Sequence, residues 1–255
     1  MPSELQHCSV ADRDLCLVVP TYNERDNLAP LMERVHGALE GIDYGILVVD
    51  DDSPDGSSEV ALGLKDRYPV EVVVRRNDRG LASAVVEGFT RSTARYVAVI
   101  DADLQHPPEL LRDLYQAVQT ADLAIATRYG FGGTIARWNL LRRIESRFAT
   151  LVAHIFLPAA RVTSDPMSGF FMLRRDVIEG ILLKPLGYKI LLEILARCRP
   201  ERVVGVTYAF DVRAHGRSKL GLKQQLDYVV QVVRLGLEMR WRNRGVPQTG
   251  RSIEQ

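Results

Sequence analysis

The sequence predicts an α/β fold, a mostly parallel sheet with helices on both faces. Three features of the 255-residue chain carry this. Near-continuous Val/Ile/Leu runs of strand length recur along it. Segments with apolar residues at three- and four-residue steps separate those runs. Polar and acidic residues gather where the runs end. Strands buried on both faces are apolar throughout rather than alternating. Their alternation with helices implies a sheet between two helical layers. In that architecture ligands sit at the carboxyl ends of the strands.

Leu15–Pro20 (LCLVVP) is the first strand, ending at Pro20. Leu28, Leu31, Met32, Val35 and Leu39 mark one face of a helix. Gly45–Asp50 (GILVVD) is the second strand. Ser53 is expected to cap the next helix, with Pro54 at its first position. Val70–Arg75 and Tyr96–Asp101 are strands flanking a helix through Leu81–Phe89. Pro107-Pro108-Glu109 opens another helix, and Leu123–Thr127 is the fifth strand. After Gly130, Gly132 and Gly133, a helical pattern runs through Leu141, Ile144, Phe148, Leu151, Val152 and Ile155. Ser168–Leu173 and Arg202–Val212 are further strands. Leu222, Leu226, Val229, Val230, Val233 and Leu237 form the apolar stripe of a terminal helix. No repeat or long linker divides the chain.

The composition, 46% hydrophobic and 25% charged, is that of a globular protein. Basic and acidic residues number 33 and 32, a net charge of +1. That balance argues against a surface built for nucleic acid. Cys8, Cys16 and Cys198 are odd in number and widely spaced, so no disulfide framework or zinc site is expected, and a reducing compartment fits. The first fifteen residues have no apolar core of a signal peptide. Apolar stretches such as Leu151–Ala160 are shorter than the ~20 residues of a membrane span.

Asp101-Ala102-Asp103 follows the buried run YVAVI. In an extended segment the first and third residues point the same way, so both carboxylates face one site. Their repulsion is relieved by a hard divalent cation, and Mg2+ or Mn2+ held by carboxylates plus substrate phosphates is a common arrangement. Gln105 and His106 offer an oxygen ligand or a supporting hydrogen bond. The alternative is a pair of solvated loop acids, since Asp-x-Asp often arises by chance. Asp50-Asp51-Asp52-Ser53-Pro54-Asp55-Gly56 offers acceptors for a base edge or ribose, or simply a capped turn. Pro20-Thr21-Tyr22-Asn23-Glu24 provides a ring face and an acceptor, or an ordinary strand-to-helix turn.

Together these segments resemble a family. VVPTYNERDNL (18–28), VVDDDSPDGS (48–57), RGLASAVVEGF (79–89), DADLQHPPE (101–109), ATRYGFGG (126–133), DPMSGFFMLRRDV (165–177), GYKILLEIL (187–195) and RAHGRSKL (213–220) are similar to the family 2 inverting glycosyltransferases. The likeness is strongest to the dolichol-phosphate (polyprenol-phosphate) mannose synthases and runs in order from about residue 15 to 240. It implies a GT-A-type, Rossmann-like fold over residues 12–242. A nucleotide-binding half would occupy about 12–130, an acceptor- and membrane-facing half about 131–242, and a polar tail 243–255.

The resemblance also implies roles. Pro20, Tyr22, Glu24, Val49 and Asp51 would hold the base and ribose of GDP-mannose. Asp101, Asp103 and Gln105 would ligate Mg2+ or Mn2+, with the Ala102 backbone beside the nucleotide. Lys189 would bind the donor, and Arg128, Arg142, Arg213 and Lys219 the acceptor phosphate. Asp103, Arg128, Arg213 and Lys219 would be the catalytic set. His215 stands where some relatives carry Arg. The implied activity is that of a dolichyl/polyprenyl-phosphate β-D-mannosyltransferase. Its chemistry suits the residues. A phosphate monoester, with its second pKa at roughly 6, is already a nucleophile at neutral pH. The enzyme then needs a cation for the leaving group and a basic clamp for the nucleophile, not a general base. In-line attack inverts the donor α-linkage to β.

Charge is local rather than global. Residues 128–147 hold five Arg against Glu145, and residues 211–245 hold eight Lys/Arg against three acids. Both carry amphipathic patterns, with Trp138 and Trp241 nearby. Such helices suit an anionic bilayer surface, or they pack on the sheet with their basic residues solvated. For Ile135–Ile155 the lipid-linked acceptor favours the bilayer; for Gly221–Met239 both readings stand. The resemblance thus implies a peripheral protein on the cytoplasmic face, with a separate small membrane-anchoring protein as an expected partner and no nucleic acid. One rival reading transfers glucose from a UDP donor, because no residue separates guanine from uracil. Another is a non-catalytic nucleotide- or membrane-binding module. Such a binder has no need of Asp101, Asp103 and Gln105 together with Arg213 and Lys219.

Overall fold

The computed structural model describes residues 10–128, 149–184, 188–208 and 222–244. Its strands are β1 (Leu15–Thr21), β2 (Tyr44–Asp50), β3 (Val70–Val74), β4 (Tyr96–Val99), β5 (Leu123–Thr127), β6 (Phe171–Arg174) and β7 (Val203–Thr207). They form one sheet in the order β3-β2-β1-β4-β6-β5-β7. The helices are α1 (Arg25–Ala38), α2 (Ser57–Gly63), α3 (Leu81–Arg91), α4 (Leu111–Val118), α5 (residues 149–156), α6 (Ile190–Arg197) and α7 (Leu222–Arg244).

Two apolar layers hold the sheet. Leu15, Leu17 and Val19 of β1 meet Leu28, Leu31, Met32 and Val35 of α1 and Leu111 and Leu114 of α4. The alternate residues Cys16 and Val18 meet Val85 and Phe89 of α3 and Ile190 and Ile194 of α6. Each such aliphatic side chain contributes about 1.5–3 kcal/mol when fully buried, so the two layers dominate the fold's stability. Gly88 lets α3 lie close on β1, since a Cβ there would stand 2.4 Å from Val18 Cγ1.

The sheet is mostly parallel, as expected, with one reversal. β6 runs antiparallel to both β4 and β5, with Phe171 opposite Val99 and Ile125. The amino end of β6 therefore lies beside the carboxyl ends of its neighbours. That brings the turn at Asp165–Phe170 to the edge where the strand-end acids emerge.

Two local expectations are corrected. β1 continues past Pro20, and Thr21 pairs with Asp50. Val18 O accepts from Ile100 N, so Pro20, two residues on, points its nitrogen to the same side, beyond the end of β4. The missing N–H therefore costs no ladder bond. Ser53 does not cap α2, which begins at Ser57 after Gly56 in the left-handed region. The Ser53 hydroxyl and amide are spent on Asp50, at 2.5 and 2.9 Å. Asp55 serves the helix start instead, accepting from the Ser57 amide and hydroxyl at 3.0 and 2.6 Å.

α5 and α7 pack beside α6 through Ala153, Leu157, Leu192, Tyr228, Val232 and Leu235. Gly236 sits against Phe156, where a Cβ would stand 2.8 Å from the Phe156 carbonyl oxygen. The stripe Val229, Val230, Val233 and Leu237 is not the packed face: Val230 and Leu237 are 55% and 58% exposed. Leu151 and Ile155 of α5 are 54% and 56% exposed. Packing on the sheet is thus excluded for these residues. Among the described residues no helix is long and apolar enough to cross a membrane.

Candidate active site

The site lies along the carboxyl edge of β1, β2, β4 and β5. On the β1–β2 side, Tyr22 follows β1 with the Arg79 guanidinium 5.6 Å from its ring centroid. Glu24 precedes α1. Its carboxylate accepts from Asn27 Nδ2 at 2.7 Å, and its amide donates to Ser57 Oγ at 3.0 Å. Pro20 and Val49 are buried at the ends of β1 and β2.

Asp51 is buried and fully engaged. Arg75 donates to its Oδ1 through Nε at 2.8 Å and through Nη2, and the Gly80 amide donates to Oδ2 at 2.7 Å. Arg75 also reaches Ser83 Oγ at 3.0 Å and the Gly80 carbonyl at 3.1 Å. The pair thus fastens the loop between β3 and α3 to the end of β2. Sequence reasoning missed Arg75, although it closes the apolar run VEVVVR.

The acidic turn follows β4. The chain leaves the strand after Val99, so Asp101–Asp103 is not extended, and the alternation expected of an extended segment does not apply. Leu104 adopts φ 59°, an uncommon conformation for a bulky residue. The turn places the Gln105 amide 3.1 Å from Asp103 Oδ1. Asp101 lies against Gly169, where a Cβ would stand 2.7 Å from its Oδ2. Ala102 and Asp103 are buried, and Gln105 is half-buried. Two carboxylates and an amide oxygen form a hard-oxygen set suited to Mg2+ or Mn2+. Gly169 leaves the Asp101 carboxylate the space that a side chain would fill. Among the described residues no three His, Cys, Asp or Glu form a ready-made metal cluster.

Behind this turn lies a buried polar group. Arg128, at the end of β5, meets Asp165 in a bidentate pair, Nε to Oδ2 and Nη2 to Oδ1 both at 2.7 Å. A phosphate contact by Arg128 must share its guanidinium with Asp165. Lys189 Nζ donates to the Met167 carbonyl at 3.0 Å. Burial and the charge of Arg128 pull its pKa down to about 8, against the opposing pull of Asp101 and Asp165. His106 Nδ1 lies 2.6 Å from the Tyr208 hydroxyl, and its ring meets Phe170 edge-on at 5.5 Å. Burial, then Arg128, pushes His106 down to about 3, so it is neutral. Burial raises the Tyr208 phenol, and Asp165, Asp101 and Asp103 add to the rise while Arg128 opposes it. These groups form one electrostatic unit. Arg142, Arg213 and Lys219 lie outside the described residues, as do Gly130–Phe148 and Trp138; the helical backbone of Trp241 is described, but its side chain is not.

A mostly parallel sheet with an acidic turn at its carboxyl edge and basic groups beside it is an α/β architecture suited to binding a phosphate-bearing ligand at the strand ends. The chain belongs to glycosyl transferase family 2, whose model matches residues 16–182. It is 45% identical over 226 residues to a dolichol-phosphate mannosyltransferase of Pyrococcus furiosus, covering 88% of this chain and 63% of that protein. It is 36% identical over 232 residues to the Saccharomyces cerevisiae protein of that name, covering 86% of this chain and 85% of that protein. Among solved structures, glucosyl-3-phosphoglycerate synthase from Mycobacterium tuberculosis shares the fold. In complex with uridine diphosphate it superposes with TM-score 0.68 at 19% identity, covering 95% of this chain and 84% of that one. The same enzyme has been crystallised with Mn2+, uridine diphosphate and glucosyl-3-phosphoglycerate.

Proposed function

We propose that the protein transfers mannose from GDP-mannose to a polyprenyl (dolichyl-type) phosphate, with inversion, giving polyprenyl-phosphate β-mannose and GDP. The observation that carries this is that the acidic turn and the basic groups Arg128, held by Asp165, and Lys189 lie at one sheet edge. Such a site supplies charge stabilisation to two phosphate-bearing substrates. An ionised phosphate acceptor requires no general base. The named relatives support the choice of mannose and dolichyl phosphate.

In this reading Asp101, Asp103 and Gln105 hold a divalent cation, Mg2+ or Mn2+, which supplies charge stabilisation to the leaving diphosphate. Pro20, Tyr22, Glu24 and Val49 contact the guanosine, with Asp51 presented by Arg75. Lys189 binds the donor, and Arg128, Arg142, Arg213 and Lys219 orient the acceptor phosphate. The exposed stripes of α5 and α7 meet the cytoplasmic face of an anionic membrane, directly or with a small anchoring protein.

The test is turnover of a short polyprenyl phosphate with GDP-mannose and with UDP-glucose, each with Mg2+, Mn2+ or EDTA. Transfer from GDP-mannose, abolished by EDTA and largely lost in Asp101→Asn and Asp103→Asn, is expected, with a β-anomeric product by NMR. Preference for UDP-glucose, or full turnover without metal, would overturn the assignment.

A further inference from the structure

We propose that Tyr208 and His106 are positioning residues that hold the Asp101 carboxylate in its cation-binding orientation. The inference rests on the reading of Asp101 as a cation ligand.

The geometry is a chain of three side chains from different elements. Tyr208 follows β7, and its amide donates to the Thr127 carbonyl at 3.2 Å, which fixes it to the end of β5. Its hydroxyl lies 2.6 Å from His106 Nδ1. His106 Nε2 faces Asp101 Oδ2 at 3.7 Å. A neutral imidazole has one donor and one acceptor nitrogen. If Nδ1 carried the proton, the Nε2 lone pair would face a carboxylate, a repulsive arrangement. The favourable tautomer has the Tyr208 hydroxyl donating to Nδ1, leaving the Nε2 proton aimed at Asp101. Tyr208 therefore selects the tautomer, and His106 presents a dipole to the carboxylate.

At 3.7 Å the Nε2–Asp101 contact is longer than a hydrogen bond. Catalytic contacts are often long in the free protein and tighten in the complex. Phe170 contacts the His106 ring edge-on, and Gly169 lies directly against the Asp101 carboxylate. Both residues belong to the turn leading into the antiparallel β6, so the reversed strand builds the wall behind the acidic turn. Groups that orient a ligating carboxylate typically change metal affinity or activity 10–100-fold when removed.

The test is direct Mn2+ binding to the full chain with saturating GDP, read from the EPR signal of free Mn2+, beside thermal unfolding of each variant. Tyr208→Phe removes one oxygen atom. It should weaken Mn2+ binding several-fold while shifting the unfolding midpoint little. His106→Asn keeps an amide near Nδ1 but loses the donor towards Asp101, and should weaken binding roughly tenfold. His106→Gln places an amide near the Nε2 position and should recover much of that loss. In turnover, the Mn2+ concentration for half-activity should rise in the same order. Wild-type Mn2+ affinity in both Tyr208→Phe and His106→Asn would overturn the inference while leaving the metal reading intact. If Asp101→Asn itself binds Mn2+ like the wild type, the reading of Asp101 falls and the inference falls with it.

Discussion

Arg128 and Asp165 face each other across two parallel 2.7 Å hydrogen bonds, joining the end of β5 to the turn before β6. The Arg128 amide adds a third contact to Asp165 at 3.3 Å. Asp165 is fully buried and Arg128 nearly so. Removing one member of such a pair strands the other charge and costs on the order of 3–5 kcal/mol. Asp165→Asn keeps the shape and loses the charge, so urea denaturation should show a loss near the lower end of that range. Arg128→Lys keeps the charge but loses the planar fork and should also be destabilised. An unfolding midpoint unchanged in Asp165→Asn would show that the pair does not hold this edge together.

The Asp51–Arg75 pair invites a separation of two roles. As a buried pair, breaking it by Arg75→Gln or Asp51→Asn should lower stability by a few kcal/mol. The double variant leaves no unpaired charge and should recover at least half of that loss. GDP affinity should fall at least tenfold in both single variants and stay low in the double variant, because the nucleotide contact needs the carboxylate itself. Titration of GDP into the three proteins tests this. Recovery of GDP binding in the double variant would show that Asp51 is purely a strut for the loop between β3 and α3.

Gly169→Ala probes the wall behind the acidic turn. The added Cβ would stand 2.7 Å from Asp101 Oδ2, closer than real Cβ contacts allow, so the carboxylate must move. Transfer activity should fall at least tenfold, and more Mn2+ should be needed for half-activity. Overpacking typically costs about 1–3 kcal/mol, so the protein should remain folded at 25 °C. Wild-type kinetics at all Mn2+ concentrations would place Asp101 outside the reacting site.

Much of this architecture is legible because period and burial determine it. The continuous runs LCLVVP and GILVVD become strands covered on both faces, and the 28–31–32–35 spacing becomes the core face of α1. The misreadings share a cause: side chains competing for partners that spacing does not reveal. Ser53 looks like a cap, yet Asp50 lies three residues back with a carboxylate to satisfy. The stripe of α7 fits a core face or a bilayer face equally by its spacing, and it is Tyr228, Val232 and Leu235 that make the contacts with α5 and α6. Arg75 and Asp165 find their partners across the fold, 24 and 37 residues away in sequence. The role of Gly169 arises only from the reversal of β6, and no local pattern announces that reversal.

The exposed stripes of α5 and α7 lead to the final prediction. Val229, Val230, Val233 and Leu237 lie on the solvent side of α7, while Leu151, Ile155 and Phe156 are exposed on the adjacent α5. Clustered exposed aliphatics mark an interaction surface, and a lipid-linked acceptor would make that surface a bilayer. α7 is anchored independently of this face. Arg197 of α6 holds Glu238 at 2.6 Å and pairs with buried Glu193, and Gln231 Nε2 donates to the Lys189 carbonyl at 3.0 Å. Val230→Asp and Leu237→Asp should therefore leave the fold and soluble GDP binding unchanged. Partial burial of one such side chain in lipid is worth about 1 kcal/mol or more, and 1.4 kcal/mol is tenfold in affinity. The double variant should bind anionic vesicles at least tenfold more weakly in cosedimentation. Its transfer to long polyprenyl phosphate in vesicles should fall in parallel, while transfer to a short, detergent-free acceptor should persist. Wild-type binding should weaken as salt rises, because basic residues near the surface contribute through a screened attraction. Undiminished vesicle binding by the double variant would remove the α7 stripe from the membrane contact.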